Sequence, residues 1–533
     1  MGYNSAVLGI KTGRTRKIAG VDAVSKLSRR DFLKLAALAP AAMAFYRVAP
    51  DLLSAGSQQN GPLSNVIIIE FDAMTARDMS LYGFPRETTP NIKRFAERAT
   101  VYHAHHSGGN CTTPSVASLL TGMYPWTHRA INLGGLIMRS LAWRNLFGIF
   151  GKEYTRLAFS HNILANQLLN QLHTDIDIHL PPGSFSVIDG MVGSHFNDLN
   201  ATYQAYDDFL FQLNNIPASF IFGLIERFYI TRKVRGARAK DYPRGLPVSF
   251  SYPIYFRLDD LFDGMIEQST RLTPPYIAFF HILPPHGNYN PHIKFYYRFR
   301  KDEWKPVEKP THRFAKFAEN YPYESLIHTR RLYDAYVANV DEEFGRLLDA
   351  FNEAGILDQS YVIVTSDHGE SFERGEKGHG TRLMYEPVLH IPLVISTPGQ
   401  STRKDVYSPT SNVDILPTLL HIAGRKVPDW CEGELLPGLG GEENAGRIDF
   451  SMQAQENPAF FPLTTLTLAM RKGKYKMIYY TGYEENDAFE LYNLENDPEE
   501  LNDLYLEERW IAASIREELL AKLQAVNQPY QNL

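Results

Sequence analysis

The sequence predicts an α/β fold: a three-layer sandwich around a mostly parallel central sheet, followed by a small α+β C-terminal subdomain. Val66–Phe71 (VIIIEF) and Tyr361–Thr365 (YVIVT) are unbroken β-branched apolar runs, the pattern of strands covered on both faces. Between Ser325 and Gly355, Leu332, Tyr336, Val340, Phe344, Leu347, Leu348 and Phe351 recur near a helical period, and Gly355 is a helix stop just before YVIVT. Helix, glycine, buried strand is the rhythm of a sheet layered between helices. The composition agrees. With 533 residues, 44% hydrophobic and 21% charged, the chain is neither disordered nor fibrous. Two cysteines, Cys111 and Cys431, exclude a disulfide framework and a cysteine-rich metal site, and leave one bridge arithmetically possible. A net charge of -6 argues against a nucleic-acid partner.

The charge is unevenly placed. Residues 1–44 carry eight Lys or Arg against two Asp, so +6, and leave -12 on the remainder. Ser28-Arg29-Arg30-Asp31-Phe32-Leu33-Lys34 precedes the apolar run Leu35–Phe45, which contains Ala42-Met43-Ala44. A basic region, a short apolar core and an A-x-A site make a signal peptide, and the paired arginines look like a twin-arginine export signal. The run is too short to span a bilayer as a helix. The expected partner of residues 1–44 is therefore the twin-arginine translocase. The expected location is periplasmic or extracellular, or the outer face of the membrane if the signal stays as an anchor.

Residues 45–64 read as a Pro/Gly/Ser linker, and the principal domain as 65–455. Within it, Tyr276–His281 (YIAFFH) and Ile391–Ile395 (IPLVI) are further strand candidates. Residues 181–271 form a variable insert or lid, with an apolar segment Ile221–Ile230 and the basic run Arg232, Lys233, Arg235, Arg238, Lys240 and Arg244. That surface suits contact with anionic lipid, or is a buried helix beside a solvated loop. Lys294–Arg300 (KFYYRFR) reads as an amphipathic strand or a substrate-facing segment. In 456–533, Thr465–Met470, Tyr475–Thr481 and Phe489–Tyr492 read as short strands and Glu507–Val526 as a closing helix.

Open α/β sheets place their sites beyond the C-terminal ends of the strands. Asp72 follows VIIIEF there, and Asp367-His368 follows YVIVT. Two carboxylates and an imidazole converging from strand ends suit a divalent metal, although a strand-end Asp is also a common helix cap. Thr112 and Thr113 open a helical stretch after Gly108-Gly109. A hydroxyl at a helix N-terminus sits where amide N–H groups favour an anion, which suits a nucleophile attacking phosphate or sulfate, and equally suits a cap.

From Asn65 onward the chain resembles the sulfatase family of the alkaline phosphatase superfamily. The matching blocks come in order: NVIIIEFDAMTARDMSLYG, TTPNIKRF, TTPSVASLLTGMYPWTH, HILPPHGNY, GILDQSYVIVTSDHGE, GHGTRLMYEPVLHIPLVI, NVDILPTLLHIAG and ELYNLENDPEELNDL. The resemblance implies an alkaline phosphatase-like sandwich. It implies one divalent metal (Mn, Zn, Mg or Ca) held by Asp72, Asp367 and His368 and touched by Thr112. It makes Thr112 the nucleophile and gives His286 and His379 the transferred group or the leaving oxygen. Two departures qualify this. Sulfatases use Cys or Ser, oxidised to formylglycine, in Cys/Ser-x-Pro-x-Arg; here Thr112 and Val116 stand at those positions, and Cys111 is one residue early. The usual Asp-Asp pair is reduced to Asp72-Ala73. The pattern is similar to phosphoethanolamine and phosphoglycerol transferases of the superfamily and speaks against formylglycine. The expectation is an ester hydrolase or transferase with phosphoryl chemistry favoured. Sulfate ester hydrolysis and non-catalytic binding of an anionic glycan or lipid are the alternatives. The substrate is an anionic ester: a lipid head group, a glycan or a small molecule.

Overall fold

A computed structural model of the chain describes residues 64–187, 241–249, 254–315 and 321–531, with three further isolated positions. The predicted export segment, nearly all of the linker and the apolar-basic stretch of the insert lie outside the described residues. The elements that build the sheet and its layers are, in chain order, β1 (Asn65–Asp72), β2 (Thr100–Tyr102), α1 (Thr112–Thr121), β3 (Thr155–Ser160), α2 (Ile163–Gln171), β4 (Ile178–Leu180), α3 (Leu258–Arg271), β5 (Tyr276–Pro285), α4 (Tyr323–Glu353), β6 (Ser360–Ser366), β7 (Leu393–Ser396), β8 (Lys404–Val406) and α5 (Ile415–Ile422). They are followed by β9 (Ile448–Gln453), β10 (Leu466–Lys472), β11 (Tyr475–Thr481), β12 (Ala488–Asn493) and α6 (Arg509–Asn527).

Eight strands form the main sheet in the order β8-β2-β7-β6-β1-β5-β3-β4. β7 alone runs against its neighbours, and every other described pairing is parallel. Every residue of β1 is buried, as its unbroken apolar run predicts for a central strand. Alternate residues of β1 feed two separate cores. Ile67, Ile69 and Phe71 pack under α3 and α4, with Tyr333, Tyr336, Val340 and Phe344. Val66 and Ile68 pack under α1 and α5, with Val116, Leu119, Leu416 and Leu419. The sheet is thus the middle layer of the expected sandwich.

The site follows from strand register. Glu70 of β1 pairs with His281 of β5 and Thr365 of β6, and Ser160 of β3 pairs with His281. On the side chain alternation of a pleated sheet, this row faces α1. β1, β3 and β6 end within a residue or two of it, so their following loops meet in front of the α1 N-terminus.

β9–β12 form a separate antiparallel sheet in sequence order, with Ala512, Ile515 and Leu519 of α6 buried against it. This sheet begins at Ile448, upstream of position 456. It is stitched to the main body where Met452 N–H donates to Gly108 O and Ser451 Oγ to Ser107 O. Lys294–Arg300 forms no strand: Ile293–Tyr296 is a short helix, Lys294 reaches Glu342 and Arg298 donates to Glu87 O. Cys111 and Cys431 are free thiols. Among the described residues, no helix is long and apolar enough to cross a membrane.

Candidate metal centre and active site

Five of the six predicted site residues lie in hydrogen-bond, ion-pair or ring contact with one another, and the sixth, His286, touches His379. Asp72, at the end of β1, is fully buried. Its Oδ2 accepts from Asn162 Nδ2 at 2.5 Å, while its Oδ1 has no hydrogen-bond partner. Asp367 and His368 follow β6. Asp367 Oδ1 accepts the amides of Ala73 (3.1 Å) and His368 (2.7 Å), which fixes the carboxylate plane and turns Oδ2 toward the site. Ala73 is in the left-handed region, φ 63°, which brings its amide to Asp367. Gly369 is required next: a Cβ there would stand 2.1 Å from Pro387 O, so a side chain would push the His368 loop off the strand end.

Thr112 is the first residue of α1. Neither threonine caps the helix, since the N-cap is Cys111 with no side-chain cap bond. Thr113 Oγ1 instead accepts from the Gly134 amide. Thr112 Oγ1 accepts from Asn162 Nδ2 at 3.2 Å and stands 3.4 Å from His368 Nε2. Cys111 faces another neighbour, its Sγ accepting from Gln455 Nε2 at 3.1 Å. Burial pushes that thiol up to about 12, so it is not an available thiolate.

Sequence reasoning missed His281, Asn162 and Ser160. His281 Nδ1 lies 3.0 Å from Ser160 Oγ and its Nε2 lies 3.3 Å from Asp367 Oδ2. Ligand atoms of Asp72, His281 and Asp367 all fall within 4.8 Å of one another. Ser160 ends β3 as Asp72 ends β1, and Asn162 follows two residues later, so the strand-end rule had a signal there. β3 itself, with Arg156 inside it, does not read as a buried run.

His368 supplies the test of whether a cation fits. Its Nδ1 faces Gly369 O at 2.9 Å, so Nδ1 carries the proton. Burial holds its pKa down at about 3, so the ring is neutral and Nε2 is a lone pair. That lone pair faces the carboxylate oxygens Asp72 Oδ1 at 3.5 Å and Asp367 Oδ2 at 3.4 Å, and the Thr112 hydroxyl, 3.4 Å away, is the donor within its reach. Acceptors facing acceptors in a buried site fit a divalent cation. The two carboxylates are driven apart. Burial and the Asp367 charge raise Asp72, whereas Asp367 ends low because His368, His281 and the Ala73 amide outweigh its burial.

His379 and His286 flank this cluster. The His379 ring lies 4.0 Å from that of His368 and 4.9 Å from that of His286, centroid to centroid. Glu370 Oε1 holds His379 Nδ1 at 2.9 Å, and Glu370 Oε2 accepts from Tyr289 OH at 3.0 Å. Burial lowers the His379 pKa, but Glu370 more than offsets it, so the ring titrates above the usual imidazole range. His286 goes the other way, to about 4, through burial and the neighbouring His379.

The sulfatase family profile matches residues 64–166 and 194–425, which take in all six predicted site residues and His281, Asn162 and Ser160. The chain belongs to the sulfatase family. A second profile, N-sulphoglucosamine sulphohydrolase, C-terminal, matches residues 375–529 of this sulfatase-family chain. Curated relatives include a choline-sulfatase of Rhizobium meliloti, 32% identical over 34% of this chain and 34% of its own length. An N-acetylglucosamine-6-O-sulfatase of Bacteroides thetaiotaomicron is 31% identical over 38% of this chain and 36% of its own. The chain thus spans about a third of the length of each of these two relatives. Among solved structures, the phosphonate monoester hydrolase of Agrobacterium radiobacter superposes with a TM-score of 0.63 at 20% identity, over 87% of this chain and 95% of that one. The sandwich is therefore the alkaline phosphatase-like fold of sulfatases.

Proposed function

We propose that this sulfatase-family protein is an exported, metal-dependent ester hydrolase or transferase that uses Thr112 itself as the nucleophile, with phosphoryl esters as the favoured substrates. The observation that carries the reading is the position of Thr112 Oγ1, at the N-terminus of α1 and 3.4 Å from His368 Nε2, while the neighbouring thiol is engaged with Gln455. A threonine hydroxyl needs no oxidation to attack, so the chemistry runs without formylglycine.

A bound divalent cation supplies charge neutralisation on the transferred group and acidifies the hydroxyl at the site. The remaining work falls to the chain. Asn162 holds Thr112 Oγ1 and Asp72 Oδ2 with one amide group and so fixes the hydroxyl beside the carboxylate. Amides at the start of α1 favour the transferred anion. Thr112 gives up its hydroxyl proton to solvent, and its Oγ1 forms a bond to phosphorus as the bond to the leaving alcohol breaks. His379, kept protonated by Glu370, delivers a proton to the leaving oxygen. Water or an acceptor alcohol then forms a bond to phosphorus as the bond to Thr112 Oγ1 breaks, and the now neutral His379 takes the proton of the incoming hydroxyl. The substrate is an anionic ester of a lipid head group, glycan or small molecule. The Arg29-Arg30 segment supports export through the twin-arginine translocase.

The names of the relatives, a choline-sulfatase and an N-acetylglucosamine-6-O-sulfatase, favour a second reading, sulfate ester hydrolysis at the same site. A panel of aryl phosphodiester, phosphonate monoester and aryl sulfate, run with wild type and Thr112→Ala, tests both. Highest turnover on the phosphorus esters, abolished by the substitution, supports the first reading. Highest turnover on the sulfate replaces it with the second. Turnover that survives in Thr112→Ala removes the nucleophile assignment.

A further inference from the structure

We infer that His281 is a direct ligand of the metal, and that with His368 it makes this centre imidazole-rich, selecting Zn²⁺ and neighbouring first-row ions over Mg²⁺ and Ca²⁺. The inference rests on the metal-assisted site proposed above, but not on Thr112 being its nucleophile.

Three observations support it. First, the position: β5 delivers a fully buried imidazole to the same carboxylate oxygen that faces His368. Asp367 Oδ2 lies 3.3 Å from His281 Nε2 and 3.4 Å from His368 Nε2, and the Asp72, His281 and Asp367 donor atoms share one 4.8 Å neighbourhood. Second, the tautomer: a ligating imidazole must present a bare nitrogen and donate its other N–H. Ser160 permits this. Its hydroxyl donates to Asn162 O at 3.2 Å and one lone pair takes the Asn162 amide at 3.0 Å, so the second lone pair can accept the His281 Nδ1–H at 3.0 Å and leave Nε2 as a lone pair. Third, the surplus of acceptors: Asp72 Oδ1 is buried without a hydrogen-bond partner, and Ala73 offers no side-chain donor beside it. His281 supplies a metal-ligating nitrogen where Ala73 has no ligating side-chain atom. With His281 the set becomes two imidazole nitrogens, two carboxylates and the Thr112 hydroxyl. Imidazole nitrogens suit zinc, cobalt or nickel, whereas Ca²⁺ and Mg²⁺ take oxygen donors. Ser160 acts through His281 and is a positioning residue.

The alternative is that His281 is only an ion-pair partner of Asp367, carrying its own proton. Metal binding separates the two. Metal-free full-length protein is titrated calorimetrically with Zn²⁺, Co²⁺, Mg²⁺ and Ca²⁺ in turn. We expect Zn²⁺ and Co²⁺ to bind at least about 100-fold more tightly than Mg²⁺ or Ca²⁺. His281→Gln loses about 10- to 100-fold in Zn²⁺ affinity, changes the visible absorption of the Co²⁺ form and leaves Mg²⁺ and Ca²⁺ binding little altered. Ser160→Ala gives a smaller loss of the same kind. Ca²⁺ binding as tight as Zn²⁺, or an unchanged Co²⁺ spectrum and affinity in a folded His281→Gln, overturns the inference. If that variant does not fold, pulsed electron paramagnetic resonance on Cu²⁺-loaded wild type counts the coordinated imidazoles: two support it, and one sinks it. Thr112→Ala retains the two-imidazole signature on this view. The nucleophile assignment can therefore fail while His281 stands, and the reverse.

Discussion

Two regions of the molecule bury several ionisable groups each, and they are built in opposite ways. At the junction between the main body and the β9–β12 sheet, Lys476 Nζ sits 2.8 Å from Glu386 Oε1 and 2.7 Å from Glu500 Oε1. Around it, Arg471 pairs with Asp449, and Arg447 grips Asp414 with both terminal nitrogens, at 2.5 and 2.6 Å. Each cation there has a carboxylate. In the candidate site Asp72, Asp367 and His368 are equally buried, but the neutral His368 nitrogen and the two carboxylates face one another as acceptors. Burial costs a charge several kcal/mol unless it is paired. The junction meets that cost with opposite charges, while the site leaves it to a ligand. Burial of charge is therefore no mark of function in this molecule; the pattern of signs is.

The largest expected effect belongs to the site. Thr112→Ala should lower turnover by about 10⁴-fold or more, as loss of a covalent nucleophile does, and change folding stability by less than about 1 kcal/mol. Turnover on the preferred ester and a urea melt check the two halves; a comparable loss of stability would place Thr112 among the structural groups. The converse substitution at the junction is Lys476→Met. It leaves Glu386 and Glu500 buried without their cation, and should cost about 3–5 kcal/mol in unfolding free energy. A loss below about 1 kcal/mol would mean that the junction is as slack as the site. Third is Asp72→Asn in the metal-free protein, which removes one of two facing carboxylates and keeps an oxygen for Asn162. It should raise apo stability by about 1–2 kcal/mol while abolishing stabilisation by added metal. A drop in apo stability would show that Asp72 is paired in a way the geometry does not reveal.

What could be read from sequence divides along the same line. β1, β6 and α4 were legible because unbroken β-branched runs and helical spacing are local signals. The convergence of Asp72, Asp367, His368 and Thr112 was legible because strand ends and helix starts meet at one edge of such a sheet. His281 was not, because it stands inside YIAFFH, where nothing local separates a ligand from one polar residue in a strand. Its role comes from the parallel register that sets it between Ser160 and Glu70, and register joins segments more than a hundred residues apart. Glu370 stood within the quoted SDHGE motif without a role, since its partners His379 and Tyr289 come from separate loops. The junction network was invisible for the same reason: Lys476 is the second residue of β11, while Glu386 opens a short helix upstream of that sheet in the chain and Glu500 lies downstream of it.

The smallest effect sharpens the junction itself. Glu386 and Glu500 share one lysine and are not equivalent. Burial raises both, but Lys476 and His106 bring Glu386 well below the ordinary range, while Glu500 stays above it. Glu386 therefore carries the charge. A carboxylate with a depressed folded pKa adds stability that is fully present above its unfolded value, about 4.3, and is lost as pH falls through the folded one. In that window the unfolded chain binds more protons, so stability should rise with pH by up to about 1.4 kcal/mol per unit from this group. Urea midpoints taken from pH 3 to 6 should rise steeply for wild type and less steeply for Glu386→Gln, whatever the substitution does to the absolute level. Glu500→Gln should be the milder change, because burial already raises the group it replaces and the variant retains an oxygen for the Glu386 amide. If the slopes of the two variants exchange places, the charge resides on Glu500 and the pairing at Lys476 is the reverse of the one described.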